Sequence, residues 1–311
     1  MISDMLKKLC FALLLLLVMP AWHARALAAE PIKVAASIFP LADIVRQVGK
    51  ERVSVVTLLP AGASEHAYEP TASQMRQAAD AALYVRVGAG MDVWVDRLMA
   101  AARHKPLVIT ATGGIPLLQS SSQDLLLKDG KGEHEHDHGN GDDPHVWLDP
   151  TIVRDHILPA VTEALARLSP ADARVFKVNS RRYALELTRL DMDYTNTLSK
   201  LPKRNFIAMH SAWGYLARKY QLKQVAAVET FPGKEPSAKY IAALIKKARE
   251  LGVTTIFAEP QLSNKAARVI AAELGGKVLV LDPLGSAQTP GRNSYLALMR
   301  HNLSILAGGL H

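Results

Sequence analysis

Apolar positions recur with two different periods along the N-terminal half of the chain. Short runs rich in Val, Ile and Leu predict buried strands, and apolar residues three or four positions apart predict helices that pack on them. The predicted strands are Ile32–Ile38, Val53–Leu59, Ala82–Val87 and Leu107–Thr110. The predicted helices between them are Leu41–Val48, Ala72–Ala79 and Val93–Ala102. The order is therefore βαβαβαβ.

The C-terminal half repeats this order. Its predicted strands are Phe206–Met209, Gln224–Val228, Thr255–Ala258 and Lys277–Leu281. Its predicted helices are Trp213–Tyr220, Ala238–Leu251 and Asn264–Leu274. Strands that alternate with helices form parallel sheets. The pattern thus predicts an α/β protein with two similar parallel-sheet lobes.

A long segment of interleaved polar and apolar residues separates the two halves. Residues 171–201 contain neither Pro nor Gly, and Ser169 and Pro170 before them are typical of a helix cap and first turn. We expect one helix that bridges the lobes. The predicted layout is a signal peptide at 1–28, an N-terminal lobe at 29–168, a linking helix at 169–201 and a C-terminal lobe at 202–311.

The N-terminus has the layout of a cleavable signal peptide. Basic residues precede an apolar run at Leu9–Met19, and the segment ends in the small-residue motif Ala26-Leu-Ala28. The run is too short to span a bilayer, so we expect an exported, periplasmic protein without a membrane anchor. The only cysteine, Cys10, leaves with the signal, so a hydrophobic core must hold the mature chain together without disulfides.

The formal charge of the chain is +8, and removal of three basic residues and one acidic residue with the signal leaves +6. Nucleic acid is one partner class that binds basic proteins. The lysines and arginines are scattered along the predicted helices, however, and an exported protein meets little nucleic acid. We therefore interpret the charge as a solvated surface and expect no nucleic-acid partner.

Three histidines and one aspartate follow predicted strands. Ligands of open parallel sheets bind outside the carboxyl ends of the strands, and His66, His145, His210 and Asp282 occupy such positions. One histidine at a strand end is often only packed or hydrogen bonded, but four such residues in both lobes indicate a site. Three imidazoles and a carboxylate suit tetrahedral Zn²⁺, whereas Mn²⁺ prefers more oxygen ligands.

The segment 120–143 departs from globular composition. It contains Glu133-His-Glu-His-Asp-His138, in which His134, His136 and His138 alternate with carboxylates. These three histidines are candidate accessory metal ligands of a mobile loop that collects metal weakly. The alternative is a disordered insert that only adds solubility.

Five motifs of the sequence are similar to those of a known family. They are Ala36-Ser-Ile-Phe-Pro-Leu-Ala-Asp-Ile-Val45, Leu59-Pro-Ala-Gly-Ala-Ser-Glu-His-Ala-Tyr-Glu-Pro70, Asp143-Pro-His-Val-Trp-Leu-Asp-Pro150, Met209-His-Ser-Ala-Trp-Gly-Tyr215 and Leu281-Asp-Pro-Leu-Gly285. In these motifs the chain resembles the ZnuA/TroA-type (cluster A-I) metal-binding receptors of ABC transporters. The resemblance covers nearly the whole mature chain.

The resemblance implies two α/β lobes bridged by a rigid helix, with the metal in the cleft between them. It carries ligand roles onto His66, His145, His210 and Asp282. In the manganese-selective branch the third position is typically glutamate, so His210 favours the zinc branch. One departure is Ser64-Glu65 before His66, which makes Glu65 a candidate for the oxygen ligand in competition with Asp282.

The function that follows is a periplasmic high-affinity receptor that captures Zn²⁺ and delivers it to an ABC-type permease at the inner membrane. A periplasmic metallochaperone is a further candidate partner. One alternative is a manganese or iron receptor of the same fold. The other is an exported zinc hydrolase, which is disfavoured because four protein ligands close the open position that catalytic zinc needs. We therefore expect no enzyme activity.

Overall fold

The structure is a computed structural model that describes residues 30–101, 104–119 and 141–311. The predicted signal peptide lies outside the described residues, and so do His134, His136 and His138. Within the described ranges, no helix combines the length and the apolar character needed to cross a membrane.

The N-terminal half forms one parallel four-stranded sheet. Its strands are β1 (Ile32–Ala36), β2 (Val53–Thr57), β3 (Leu83–Arg86) and β4 (Leu107–Thr110), in the order β2-β1-β3-β4. The helices α1 (Phe39–Gly49), α2 (Ala72–Ala78) and α3 (Trp94–Ala101) connect them. We call this sheet with its helices the N-terminal lobe.

The C-terminal half repeats the topology. Its strands are β5 (Asn205–Ala208), β6 (Lys223–Ala227), β7 (Thr255–Ala258) and β8 (Lys277–Val280), in the order β6-β5-β7-β8. The connecting helices are α6 (Gly214–Lys219), α7 (Ala238–Glu250) and α8 (Lys265–Glu273). We call this sheet with its helices the C-terminal lobe. The predicted α/β class with two parallel sheets is confirmed.

Local chemistry fixes where several helices begin. Thr71 and Gln74 form a capping box at the start of α2, with Gln74 accepting from the Thr71 backbone. Ser237 caps α7 by accepting from the Tyr240 backbone N–H. These short polar side chains satisfy backbone donors that have no partner inside a helix, so each chain segment enters its helix at a defined residue.

Further helices of the described chain lie outside the repeated unit. A helix made of Pro150–Ile152, a π-helical turn at Val153–Ile157 and α4 (Leu158–Leu168) precedes the long helix α5 (Ala173–Leu198), and α9 (Tyr295–Gly309) ends the chain. The predicted long helix is present, but Ser169 does not cap it. Pro170–Asp172 forms a 3-10 turn instead, and the Ser169 hydroxyl donates to the Asp172 carboxylate at 2.8 Å.

One apolar cluster runs through both lobes. It joins residues of the N-terminal sheet to one face of α5, through Phe176, Leu187 and Tyr194, and continues into α6 and α9. A smaller cluster lies in each lobe on its own. The two lobes therefore share apolar packing. The domain boundaries predicted at 168/169 and 201/202 stay a prediction.

Hydrogen bonds reinforce the contact between the lobes. The buried Trp147 indole donates to the Pro283 carbonyl at 2.8 Å, and the Tyr295 hydroxyl donates to the Trp147 carbonyl at 2.8 Å. Asp43 in α1 accepts from the Tyr295 backbone N–H at 2.9 Å. These bonds position the carboxyl ends of the two sheets beside one another.

Candidate metal centre

The clustered candidate residues come from three loops at strand ends. Glu65 and His66 lie on the loop after β2, His145 lies just before a short 3-10 turn that follows the described part of the loop after β4, and His210 comes two residues after β5. Short parallel strands place all three loops at the carboxyl edges of the two sheets. The candidate site therefore draws its side chains from both lobes.

The three histidine side chains converge through their Nε2 atoms. The Nε2 atom of His145 lies 3.2 Å from Nε2 of His66 and 3.2 Å from Nε2 of His210. Nitrogens bound tetrahedrally to zinc at about 2.0–2.1 Å are about 3.3 Å apart. The two separations from His145 thus match the spacing of ligands around one small ion.

Glu65 completes the group. Its Oε1 atom lies 4.0 Å from Nε2 of His145 and 3.9 Å from Nε2 of His210. One ligand atom from each of Glu65, His66, His145 and His210 lies within 4.8 Å of the other three. The Glu65 side chain is buried, and Oε1 has no hydrogen-bond partner among the described residues. Burial of an oxygen that accepts no hydrogen bond costs free energy. A cation bound at this point would offset that cost.

Two carboxylates lie against the Nδ1 atoms of two histidine rings. Asp143 Oδ1 lies 2.7 Å from Nδ1 of His145, and Glu259 Oε2 lies 2.6 Å from Nδ1 of His210. A proton on each Nδ1 leaves the Nε2 lone pair free to bind a metal, and a carboxylate behind the ring fixes this tautomer. Sequence reasoning missed both carboxylates, although Glu259 directly follows β7 and the strand-end filter applied to acidic residues finds it.

Burial and neighbouring charges shift the pKa values of the site residues in different directions. Burial, helped by His145 and His210, lowers the pKa of His66 to about 2. Burial also acts to lower the pKa of His210, but the charge and hydrogen bond of Glu259 outweigh it and raise the value to about 9. Burial raises the pKa of Glu65, which His210 and His145 partly offset. In the metal-free protein His210 is therefore protonated near neutral pH.

The cluster opens into a cavity of about 210 Å³. His66, His145 and His210 line it together with the 89–91 loop of the N-terminal lobe and Thr230–Pro232 of the C-terminal lobe. A larger cavity of about 320 Å³ lies between Arg46 and the 284–288 loop, and none of the four clustered residues lines it. The smaller cavity therefore lies directly against the clustered histidines.

Asp282 does not join the cluster. Its Oδ2 atom accepts from Arg292 at 2.7 Å. Its Oδ1 atom accepts from the Gln261 side chain at 2.9 Å and from the backbone N–H groups of Leu284 and Gly285 at 3.1 and 2.9 Å. These donors saturate the carboxylate and shape the turn after β8. The structure thus places the candidate Glu65, and not Asp282, beside the three histidines.

Known proteins of one family are similar to this chain along most of its length. The sequence model of the family described as "Zinc-uptake complex component A periplasmic" matches residues 34–309. The High-affinity zinc uptake system protein ZnuA of Bacillus subtilis is 32% identical over 285 residues, which cover 90% of this chain and 88% of that protein. The Zinc-binding protein AdcA of Streptococcus pyogenes is 31% identical over 97% of this chain. The chain spans 61% of the length of AdcA.

Solved structures show the same fold. A crystal structure of ZnuA superposes with a TM-score of 0.77 at 30% identity, and covers 91% of this chain and 100% of its own. The zinc-bound ZnuA-like domain of Streptococcus pneumoniae AdcA superposes with a TM-score of 0.72 at 28% identity, over 90% of this chain and 99% of its own. With the family match over nearly all described residues, the chain belongs to the family of periplasmic A components of zinc-uptake complexes.

Proposed function

We propose that this protein is the receptor of a zinc-uptake system, which captures Zn²⁺ between its lobes and passes it to an ABC-type membrane permease. The observation that supports this most is the convergence of three histidine Nε2 atoms on the unpartnered Glu65 oxygen. The relatives named for zinc binding and zinc uptake support the same conclusion. A location in the periplasm follows from the family and from the predicted signal peptide.

The ligand set that we propose is His66, His145, His210 and Glu65. Three nitrogens and one oxygen match the tetrahedral preference of zinc. Manganese and iron receptors of the same fold are the second candidate, but one carboxylate offers few of the oxygens that Mn²⁺ prefers. His134, His136 and His138 stay predicted accessory ligands, because they lie outside the described residues.

The ion would act as a bridge between the lobes. Glu65, His66 and His145 belong to the N-terminal lobe, and His210 belongs to the C-terminal lobe. Release to a permease then requires that His210 separate from the other three ligands, or that protons compete for them. Four protein ligands leave no open position for substrate, so the site suits binding rather than zinc-dependent hydrolysis.

The test is metal binding by the purified mature protein. After equilibration with Zn²⁺, Mn²⁺ and Fe²⁺ together, we expect one tightly held zinc per chain by elemental analysis. In chelator competition, His210→Ala should weaken zinc affinity by more than about 100-fold, since even outer partners of metal ligands are worth about 10–100-fold. The control is His156→Ala, an exposed histidine in the π-helical turn. Equal affinities of the two variants would contradict the proposed site.

A further inference from the structure

The orientation of His145 depends on Asp143, two residues earlier. The Asp143 carboxylate accepts from the His145 backbone N–H at 3.0 Å and lies 2.7 Å from its Nδ1. Asp143 is itself buried, and its backbone N–H donates to the Leu118 carbonyl at 2.6 Å. Whatever holds Asp143 in place therefore also holds the His145 ring.

A side chain from the other lobe holds this segment. Tyr215 lies in the first turn of α6, and its ring is fully buried. Its hydroxyl donates to the Asp143 carbonyl at 2.8 Å and accepts from the Leu118 backbone N–H at 3.0 Å. This hydroxyl of the C-terminal lobe therefore forms hydrogen bonds to two segments of the N-terminal lobe, one on each side of residues 120–140.

The neighbouring glycine permits this contact. A Cβ atom on Gly214 would lie 2.7 Å from Asp143 Oδ2, closer than real Cβ atoms approach an oxygen. Gly214 has no positive φ, so its backbone conformation does not require glycine. Glycine is required at this position because α6 approaches the Asp143 carboxylate closely.

We propose that Tyr215 is a positioning residue for metal binding, which fixes from the C-terminal lobe the carboxylate that orients the N-terminal-lobe ligand His145. This inference rests on the proposed zinc site and deepens it. It means that contact between the lobes sets the geometry of His145 as well as supplying His210. Loss of the Tyr215 contact frees Asp143, and His145 then loses its fixed tautomer and direction.

The decisive variant is Tyr215→Phe, which removes only the hydroxyl. Outer partners of metal ligands are worth about 10–100-fold in affinity, and Tyr215 acts one step further out, so we expect zinc affinity to fall by about threefold to tenfold. Cobalt(II), loaded in place of zinc, should show a changed d–d absorption spectrum because the coordination of His145 is altered.

The matched control is Tyr194→Phe. The Tyr194 hydroxyl is also buried and donates to a backbone carbonyl, that of Met299, at 2.6 Å, but it contacts none of the clustered ligands or their carboxylates. We expect both variants to lower the melting temperature of the metal-free protein by similar amounts. Only Tyr215→Phe should change the zinc affinity and the cobalt spectrum.

A second pair of variants tests the same contact by crowding. Gly214→Ala should push the Asp143 carboxylate and weaken zinc binding, whereas Gly308→Ala in α9 adds its methyl group where no atom lies within 4 Å. If Tyr215→Phe and Gly214→Ala keep the affinity and cobalt spectrum of their controls, the positioning role is wrong. If the unaltered protein fails to bind zinc tightly, the proposed function is wrong instead, and the two failures are distinguishable.

Discussion

Glu65 and Asp282 are two buried carboxylates at strand ends with opposite surroundings. Asp282 accepts four hydrogen bonds, from Arg292, Gln261 and two backbone N–H groups. The Oε1 atom of Glu65 accepts none among the described residues and faces two histidine nitrogens. A carboxylate that the protein has already satisfied shapes a loop, and a carboxylate that the protein leaves unsatisfied is available to a metal. The comparison makes Glu65 the proposed oxygen ligand.

The largest expected effect concerns the stability of the metal-free protein. Asp282→Ala leaves Arg292 and the backbone donors of the 282–285 turn without their acceptor, and removal of one partner from a buried ion pair costs about 3–5 kcal/mol. Because Arg292 is partly exposed, we expect the free energy of unfolding to fall by about 3 kcal/mol. Urea denaturation in the presence of chelator measures it.

Glu65→Ala is the counterpart in the same experiment. Glu65 lacks a donor to Oε1, so its removal takes away a cost as well as an attraction to His210. We expect a change within about 1 kcal/mol. A loss as large as that of Asp282→Ala would mean that Glu65 is a structural residue, and would remove the distinction between the two carboxylates.

For zinc affinity we expect the opposite order, with the larger loss at Glu65 and the smaller loss at Asp282. Glu65→Ala removes a proposed ligand, and we expect the dissociation constant to rise by about 100-fold, at the upper end of what outer partners of metal ligands are worth. Asp282→Asn keeps the shape of the turn and should stay within about threefold of the unaltered protein. A larger loss in Asp282→Asn than in Glu65→Ala, by chelator competition, would assign the oxygen ligand to Asp282.

The pH dependence of zinc affinity tests the protons of the site residues. Zinc needs the unprotonated Nε2 of His210, whose pKa is raised to about 9, so affinity should fall as pH drops below that value. If zinc displaces one proton when it binds, its affinity changes by about tenfold per pH unit. His66, with its pKa lowered to about 2, is neutral throughout and adds nothing to this slope.

Glu65 adds its own signature to the same titration. Burial raises its pKa, so the carboxylate is ionised and binding-competent above that value and becomes neutral as pH falls through it. The affinity difference between the unaltered protein and Glu65→Gln should therefore narrow toward acid pH. Asp282→Asn should run parallel to the unaltered protein at every pH, and a converging curve for Asp282→Asn would be evidence against the assignment.

Hydrophobic periodicity predicted most of the fold, because each strand and helix is specified by residues near one another. The strands at Leu107–Thr110 and Thr255–Ala258 have the predicted bounds. The start of α5 is different. Ser169 and Pro170 have the residue types of a cap and first turn, yet the hydrogen bond from Ser169 to Asp172 favours a 3-10 turn, and the helix begins at Ala173.

Sequence position brought the three histidines to one candidate site but left Glu65 and Asp282 as alternatives for the oxygen ligand. His66, His145 and His210 each follow a strand, and that local fact places them at one edge of the fold. Asp282 satisfies the same rule. Its place outside the cluster depends on Arg292, ten residues later, and on Gln261 from the loop after β7. Such donors are brought together only by the tertiary fold, so no sequence pattern near Asp282 reveals them.

The most direct test is a crystal structure of the zinc-loaded mature protein with anomalous scattering recorded at the zinc edge. We expect one strong peak bound by the Nε2 atoms of His66, His145 and His210 and by Oε1 of Glu65, with Asp282 still paired to Arg292. A peak coordinated by the Asp282 carboxylate, with Glu65 turned away, would contradict it.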